Sequence, residues 1–248
     1  MHRFFVPPKI LETEPILLPA EVGRQVTRVL RLRPGDRIIL LDGSGSEFEV
    51  ELLRVSVDTV QGKLIAQRAA ISEPPVKLTL FLCLTQREKF EWMLQKCTEA
   101  GAGVFVPVYS SRSLVQAKHG VGTKITRWQS IVQEAAEQCG RGIIPAVLNA
   151  LDYQDAVLLG ATTQQHCLLA WEEEQSITLN QRLRELQAGT TLGILIGPEG
   201  GLTPEEVHLA VANGWGTFSL GPRTFRMETA ALAATVRITA AFEDCGDL

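Results

Sequence analysis

Two stretches in the carboxy-terminal part of the chain hold residue types suited to chemistry. The first reads Gly193-Ile194-Leu195-Ile196-Gly197-Pro198-Glu199-Gly200-Gly201, followed by Leu202-Thr203-Pro204-Glu205-Glu206-Val207. A glycine-dense turn at the carboxyl end of a buried strand is where open α/β sheets take ligands. Glycine lets backbone amides and carbonyls approach a ligand with no Cβ in the way. A tight turn that needs positive φ accounts for GPEGG equally well. The second stretch runs from Phe218-Ser219-Leu220-Gly221-Pro222-Arg223-Thr224-Phe225-Arg226 to Met227-Glu228-Thr229-Ala230-Ala231. It sets Arg226 and Glu228 between a buried strand and an alanine-rich apolar helix reaching to about Phe242. That pair reads as ligand-facing or as a plain salt bridge. The two corners are expected at the ends of neighbouring strands, where together they would line one cleft.

The elements that hold these corners follow from periodicity. Leu78–Leu84 is a continuous apolar run, the mark of a strand buried on both faces. Phe90, Met93, Leu94 and Cys97 then fall at i, i+3, i+4 and i+7, a helix stopped by Gly101. Val104–Val108 reads as strand and Lys124–Cys139 as helix, with Ile125, Trp128, Ile131 and Val132 on its apolar side. Strands at His166–Ala170, Leu192–Ile196 and Thr217–Leu220 are each followed by a helical segment, so a parallel sheet covered on both faces is expected. Thr203 fits an N-cap, Pro204 the first helical position, and Glu206 completes a capping box.

Residues 1–72 have a different rhythm. Glu47–Leu52 alternates strictly, with strand candidates at Arg37–Leu41 and Thr59–Arg68, and turns expected at Asp42-Gly43-Ser44-Gly45 and at Gln61-Gly62. One helix, about Glu21–Leu32, is expected to stop at Pro34-Gly35-Asp36. A small barrel over 1–72, a linker at Ser72-Glu73-Pro74-Pro75 and an α/β domain over 73–248 is the organisation this implies.

Charge sharpens the division. The 248 residues carry 24 Lys and Arg against 28 Asp and Glu, a net −4 that argues against a polyanion as partner. Residues 1–72, however, hold 10 basic against 9 acidic residues, and Arg24, Arg28, Arg31, Arg33 and Arg37 fall within fourteen positions opposed only by Asp36. A local positive stripe, not a basic average, is what nucleic acid requires. Arg24, Arg28 and Arg31, spaced four and three apart, share a helix face; a solvated face with no partner is the plain alternative.

Several classes are excluded. Composition is that of an ordinary globular protein, no apolar run approaches the length of a membrane span, and MHRFFVPPKI is too short in apolar residues for a secretory signal. Cys83, Cys97, Cys139, Cys167 and Cys245 form no CxxC pair and are odd in number, which points to a reduced cytoplasmic enzyme. Neither GxGxxG nor a P-loop is present, and His2, His119, His166 and His208 show no ligand spacing, so no metal site is expected.

Taken in order, several motifs resemble one family. ILIGPEGGLTPEE and SLGPRTFRMETAALAA are similar to the paired carboxy-terminal motifs of the SPOUT methyltransferases, and more closely to the RsmE-type small-subunit (16S) ribosomal RNA uridine-N3 methyltransferases. MHRFF, Thr27–Asp36, Leu41–Gly45, Lys89–Gly101 and Trp128–Pro145 extend the resemblance over nearly the whole chain. It departs at Ser111, where the family often has an acid, at Thr27 and Ala100, and at Phe225, where Leu is frequent.

The resemblance implies a PUA/OB-like β-barrel that grips RNA, ahead of a parallel-sheet domain whose carboxy-terminal chain forms a trefoil knot. It further implies a homodimer that acts on small-subunit ribosomal RNA, free or in an assembled 30S-type subunit, with no membrane partner. S-adenosylmethionine would be held by Leu169, Ala170, Ile196, Gly197, Glu199, Gly200, Leu220, Gly221, Phe225, Thr229 and Ala230. Arg226 would stabilise charge developing on the uracil oxygens, an oxyanion-hole logic, or grip the target phosphate; Glu199 or Glu228 would accept the N3 proton or hold Arg226. Arg24, Arg28, Arg31, Arg33 and Arg37 would hold the RNA backbone. A ribose 2′-O-methyltransferase of the same superfamily, a non-catalytic ribosomal RNA-binding assembly protein and an ordinary α/β metabolic enzyme remain as rival readings.

Overall fold

The computed structural model describes residues 1–113 and 122–243, which divide into two compact units. One comprises Met1–Glu73 with Ala136–Ile144, the other Pro74–Ala135 with Pro145–Leu248. His119 and Cys245 lie outside the described residues. Cys83, Cys97 and Cys167 are free thiols.

The first unit is a mixed, five-stranded half-barrel built from β1 (Arg3–Phe5), β2 (Ile16–Leu17), β3 (Arg37–Leu41), β4 (Ser46–Val55) and β5 (Val60–Ala69). Its order is β1-β3-β4-β5-β2, with β1 parallel to β3 and the other pairs antiparallel. The alternation in β4 works as expected: Phe48, Val50 and Leu52 turn inward to a core with Phe4, Ile16, Val26, Ile38 and Leu40. Glu47, on the opposite face, is nevertheless buried, because Arg68 Nε (3.0 Å) and Arg3 Nε (3.6 Å) approach its carboxylate.

Two expectations for this unit fail. Gln61-Gly62 is not a turn but lies inside β5; the chain reverses earlier, at residues 56–59, where Ser56 and Thr59 exchange hydrogen bonds. Gly62 is present because a Cβ there would overlap Val50 Cγ1, so β4 and β5 close only on a glycine. The helix is also shorter. α1 (Ala20–Arg24) passes into one π-type turn at Gln25–Val29 and ends at Arg31, which takes the left-handed φ of 54° before the proline is reached.

The second unit is a wholly parallel sheet: β6 (Lys77–Cys83), β7 (Val104–Tyr109), β8 (Ala146–Val147), β9 (Leu151–Asp152), β10 (His166–Ala170), β11 (Thr191–Ile196) and β12 (Gly216–Phe218). Its order is β12-β10-β11-β6-β7-β8, with β9 also on β7. Its helices are α2 (Arg87–Glu99), α3 (Gly122–Cys139), α4 (Tyr153–Thr163), α5 (Leu179–Leu183), α6 (Pro204–Ala212) and α7 (Met227–Phe242). Both-face burial explains the apolar runs: Leu80, Phe81, Leu82 and Cys83 in β6 and Leu192–Ile196 in β11 are buried. Gly101, at φ 105°, ends the turn after α2 where a Cβ would strike Thr239 of α7. α4, unread in the sequence, buries Tyr153, Ala156, Val157 and Gly160, and Trp215 packs where a Cβ on Gly160 would stand.

Candidate active site

All strands of the second unit point the same way, so the segments after Cys83, Tyr109, Ala170, Ile196 and Phe218 leave the sheet at one edge. Chain order reverses between β6 and β11: β7 lies to one side of β6, while every later long strand lies on the other. Ligands of open α/β sheets bind at such a switch point, outside the carboxyl ends.

The two glycine corners do meet this edge, but not as neighbours. β10 lies between β11 and β12, with Ala170 in register with Ile196 on one side and Phe218 on the other. The corners therefore start two strand spacings apart, about 10 Å, with the segment after Ala170 between them. That segment reaches both. Trp171 N donates to Phe218 O (3.1 Å), and the Glu172 carboxylate packs against Gly201, where a Cβ would overlap it.

The corner after β11 is tightly fastened. Gly201 sits at φ 71° and its amide donates to Pro198 O (3.0 Å). The expected capping box forms: Thr203 Oγ1 accepts from Glu206 N (3.3 Å), and Glu206 Oε2 accepts from Thr203 N (2.9 Å). The buried Glu206 does more than cap, since its Oε1 accepts from Ser111 N (2.8 Å) and Ser111 Oγ (3.1 Å). Ser111, the departure from the family pattern, is thus a donor to an acid supplied by another element. Arg112 Nη1 donates to Gly200 O (3.0 Å). Glu199 is bound through Oε1 by the Thr85 hydroxyl and by Lys89 Nζ (3.0 Å). Burial pulls the Glu199 pKa up, but the Thr85 hydroxyl, a backbone amide and Lys89 outweigh it and hold the carboxyl below its ordinary range.

The corner after β12 is open. Gly221 takes φ 126°, and a Cβ built there would meet nothing within 4 Å. Leu220 O accepts from Arg237 Nη1 (3.1 Å), which steadies the loop from α7. Arg226 is the N-cap residue of α7, exposed, with no side-chain capping bond and no ion pair among the described residues. Glu228 follows in the first turn, and its Oε2 is buried with no hydrogen-bond partner among the described residues. The plain salt bridge between these two residues does not form.

Among the residues expected to hold a cofactor, Gly197, Glu199, Gly200, Leu220, Gly221, Phe225, Thr229 and Ala230 all lie on these two corners or the first turn of α7. Ala170 and Ile196 are the last residues of β10 and β11. Leu169 is different: its side chain is fully buried and its backbone is in register with both Leu195 and Thr217, inside the sheet. Sequence reasoning misses Thr85 and Lys89 as site residues. They stand 114 and 110 positions from Glu199, and only the parallel pairing of β6 with β11 brings them to it.

In the first unit, Arg24, Arg28, Arg31, Arg33 and Arg37 are all exposed. Arg37 is spent on Glu49 (2.9 Å) and Glu51 (3.8 Å); the other four have no ion pair among the described residues. No group of three or more metal-binding side chains and no helix able to cross a membrane occurs among the described residues.

Residues 72–239 match the model of an RNA methyltransferase domain and residues 26–65 that of an RNA methyltransferase PUA domain. The Ribosomal RNA small subunit methyltransferase E of Bacillus subtilis is 33% identical over 247 residues, 96% of each chain. The chain belongs to the small-subunit ribosomal RNA methyltransferase E family. The Synechocystis member is 34% identical, covering 98% of this chain and 78% of its own. A crystal structure of the Neisseria gonorrhoeae member, bound to S-adenosyl methionine, superposes with a TM-score of 0.86 at 28% identity and 99% coverage of both chains. The SPOUT-type α/β domain with a PUA-like half-barrel before it is therefore the family fold.

Proposed function

We propose that this protein is a cytoplasmic, homodimeric enzyme that transfers a methyl group from S-adenosylmethionine to N3 of a uridine in small-subunit (16S) ribosomal RNA. Membership of the methyltransferase E family supports the reaction class. The observation that carries the site is the contrast at the sheet edge. There the side chains of Glu199, Thr203 and Glu206 after β11 are bonded, whereas after β12 the Arg226 guanidinium and Glu228 Oε2 have no partner among the described residues. A buried oxygen left unpaired calls for an explanation, and a donor on a bound substrate supplies one for Glu228 Oε2.

The residues present fit the methyl donor. The open space beside Gly221, the exposed backbone at Glu199 and Gly200, and two carboxylates suit a flat adenosyl group joined to a cation. Gly197, Gly200, Leu220, Gly221, Thr229 and Ala230 would hold it through backbone, with Ala170, Ile196 and Phe225 as apolar floor. When bound, S-adenosylmethionine supplies an electrophilic methyl on a positively charged sulfur. Orientation of the two reactants can contribute about 7–11 kcal/mol in favourable cases. Arg226 stabilises the negative charge that spreads to the uracil oxygens as N3 loses its proton, and a carboxylate of the same edge, Glu199 or Glu228, takes that proton.

N3 is on the pairing edge of the base, so the target nucleotide must be unpaired or extruded. Arg24, Arg28, Arg31 and Arg33 would hold the surrounding backbone. The threading of the carboxy-terminal chain into a trefoil knot, and pairing of two copies next to the donor pocket, belong to the same proposal. The deciding experiment is methylation of small ribosomal subunits from a deletion strain with labelled donor, followed by nucleoside mass spectrometry. N3-methyluridine is expected; label on ribose, or none, overturns the reading.

A further inference from the structure

We infer that Glu228, and not Glu199, is the group that takes the proton from uridine N3; this deepens the uridine-N3 reading and rests on it. The two carboxylates differ in what already binds them. Glu199 Oε1 accepts from Thr85 and Lys89, and these donors favour its charged form. A carboxylate satisfied in this way is a poor proton acceptor. It is suited instead to holding the corner or facing a cation.

Glu228 Oε2 is buried and has no donor among the described residues. An ionised carboxylate is acceptor-only, and a buried acceptor left unmatched is costly. The N3–H of an extruded uracil is a donor of the type it lacks. Position agrees. α2 and α7 both start at the carboxyl edge and run together, with Cys97 hydrogen-bonded to Thr235 and Gly101 against Thr239. Lys89 precedes Cys97 by eight residues and Glu228 precedes Thr235 by seven, so at about 1.5 Å per residue they stand roughly 12 and 10.5 Å along the pair. Glu228, in the first turn of α7, thus stands at about the same height along the helix pair as Lys89, in the first turn of α2. Arg226, two residues before it, is exposed on the same corner, unpaired with Glu228, and would face the charge left on the uracil oxygens.

In the step, the N3–H bond breaks and its proton passes to Glu228 Oε2. The N3 electron pair forms the bond to the methyl carbon. The sulfur–methyl bond breaks with its electrons left on sulfur, which becomes a neutral thioether, and the proton on Glu228 is then lost to water.

The test compares Glu228→Gln and Glu199→Gln in the full-length protein. It combines calorimetric donor binding with single-turnover methylation of small subunits, reconstituted with uridine or with the more acidic 5-fluorouridine. Glu228→Gln is expected to bind donor within about threefold of wild type and to slow methyl transfer by roughly 10²–10⁴. It should regain at least about tenfold of that loss on the 5-fluorouridine substrate, because a more acidic N3–H needs its base less. Glu199→Gln should lose the same factor on both substrates. A Glu228→Gln rate within about threefold of wild type overturns the assignment. So does a loss equal on both substrates, or a loss that saturating donor abolishes. Should Glu228→Gln fail to fold, Glu228→Asp carries the same substrate comparison, with a smaller loss expected. Wild type making no N3-methyluridine would sink the reaction reading itself, an outcome separate from any behaviour of Glu228.

Discussion

The corner after β11 and the corner after β12 are built from similar residues and do opposite things with them. After β11, the side chains able to bond are occupied: Thr203 and Glu206 with each other, Glu206 again with Ser111, Glu199 with Thr85 and Lys89. After β12, Arg226 caps nothing and Glu228 leaves a buried oxygen unmatched among the described residues. Bonded and unpartnered side chains are thereby divided between two turns on either side of one strand. A preorganised frame lowers the cost of ordering a ligand, while polar groups kept unpaired in the protein are free to pair with one. The arginines of the first unit repeat the contrast, with Arg37 paired to Glu49 while Arg28 and Arg31 have no ion pair among the described residues.

The largest effect is expected at the open corner. Arg226→Ala should lower kcat by about 10²–10³, the usual loss when a donor to a developing anion is removed, with donor affinity by calorimetry nearly intact. An unchanged kcat would erase the distinction between the corners. At the closed corner the damage should appear in the fold. Gly201→Ala puts a Cβ at φ 71° against the Glu172 carboxylate, costing about 1–3 kcal/mol. Thermal denaturation should show a fall of several degrees; an undiminished Tm would mean that the corner is not strained by a side chain.

Next comes the paired and unpaired arginine contrast. Arg28→Glu with Arg31→Glu should weaken RNA binding and flatten the logarithmic salt dependence by about 0.7–0.9 for each phosphate that is no longer neutralised. Arg37→Ala, already committed to Glu49, should change the slope less, and equal slopes for the two variants would refute the contrast. The smallest effect is on pH dependence. Glu199 is held below its ordinary pKa, so its contribution is complete above that ordinary value and is lost as pH falls through the lowered one. Thr85→Ala should raise the Glu199 pKa and move the acid limb of the Tm–pH curve upward. A limb that does not move would show that the Thr85 contact has no electrostatic weight.

How much of this the sequence displays depends on the range of the signal. The capping box at Thr203–Glu206 and the helix carrying Phe90, Met93, Leu94 and Cys97 are local, and both form as expected. Gln61-Gly62 resembles a turn because glycine marks turns, yet this glycine answers to Val50 on the next strand. Periodicity carries the helix at Glu21–Leu32 toward Pro34, but the left-handed residue that ends it, Arg31, bears no local mark. Thr85 with Glu199 and Ser111 with Glu206 are separated by 114 and 95 residues, and no periodicity encodes them. For the same reason the first unit's claim on Ala136–Ile144, where the buried Arg141 pairs with Glu73 (2.8 Å), is invisible along the chain. Both corners are legible in the sequence; β10 lying between them is not.

That intervening strand has a consequence for how the enzyme comes into being. Because β10 must be flanked by β11 and by β12, the ligand edge is complete only when the sheet's last strand has docked, and the Arg226 and Glu228 corner follows that strand in the chain. A nascent polypeptide that has not yet delivered β12 holds the bonded corner after β11 without the corner that carries Arg226 and Glu228. Such long-range closure is slow compared with helix formation, and a molecule that binds only the finished edge would draw the late-forming sheet toward completion by mass action.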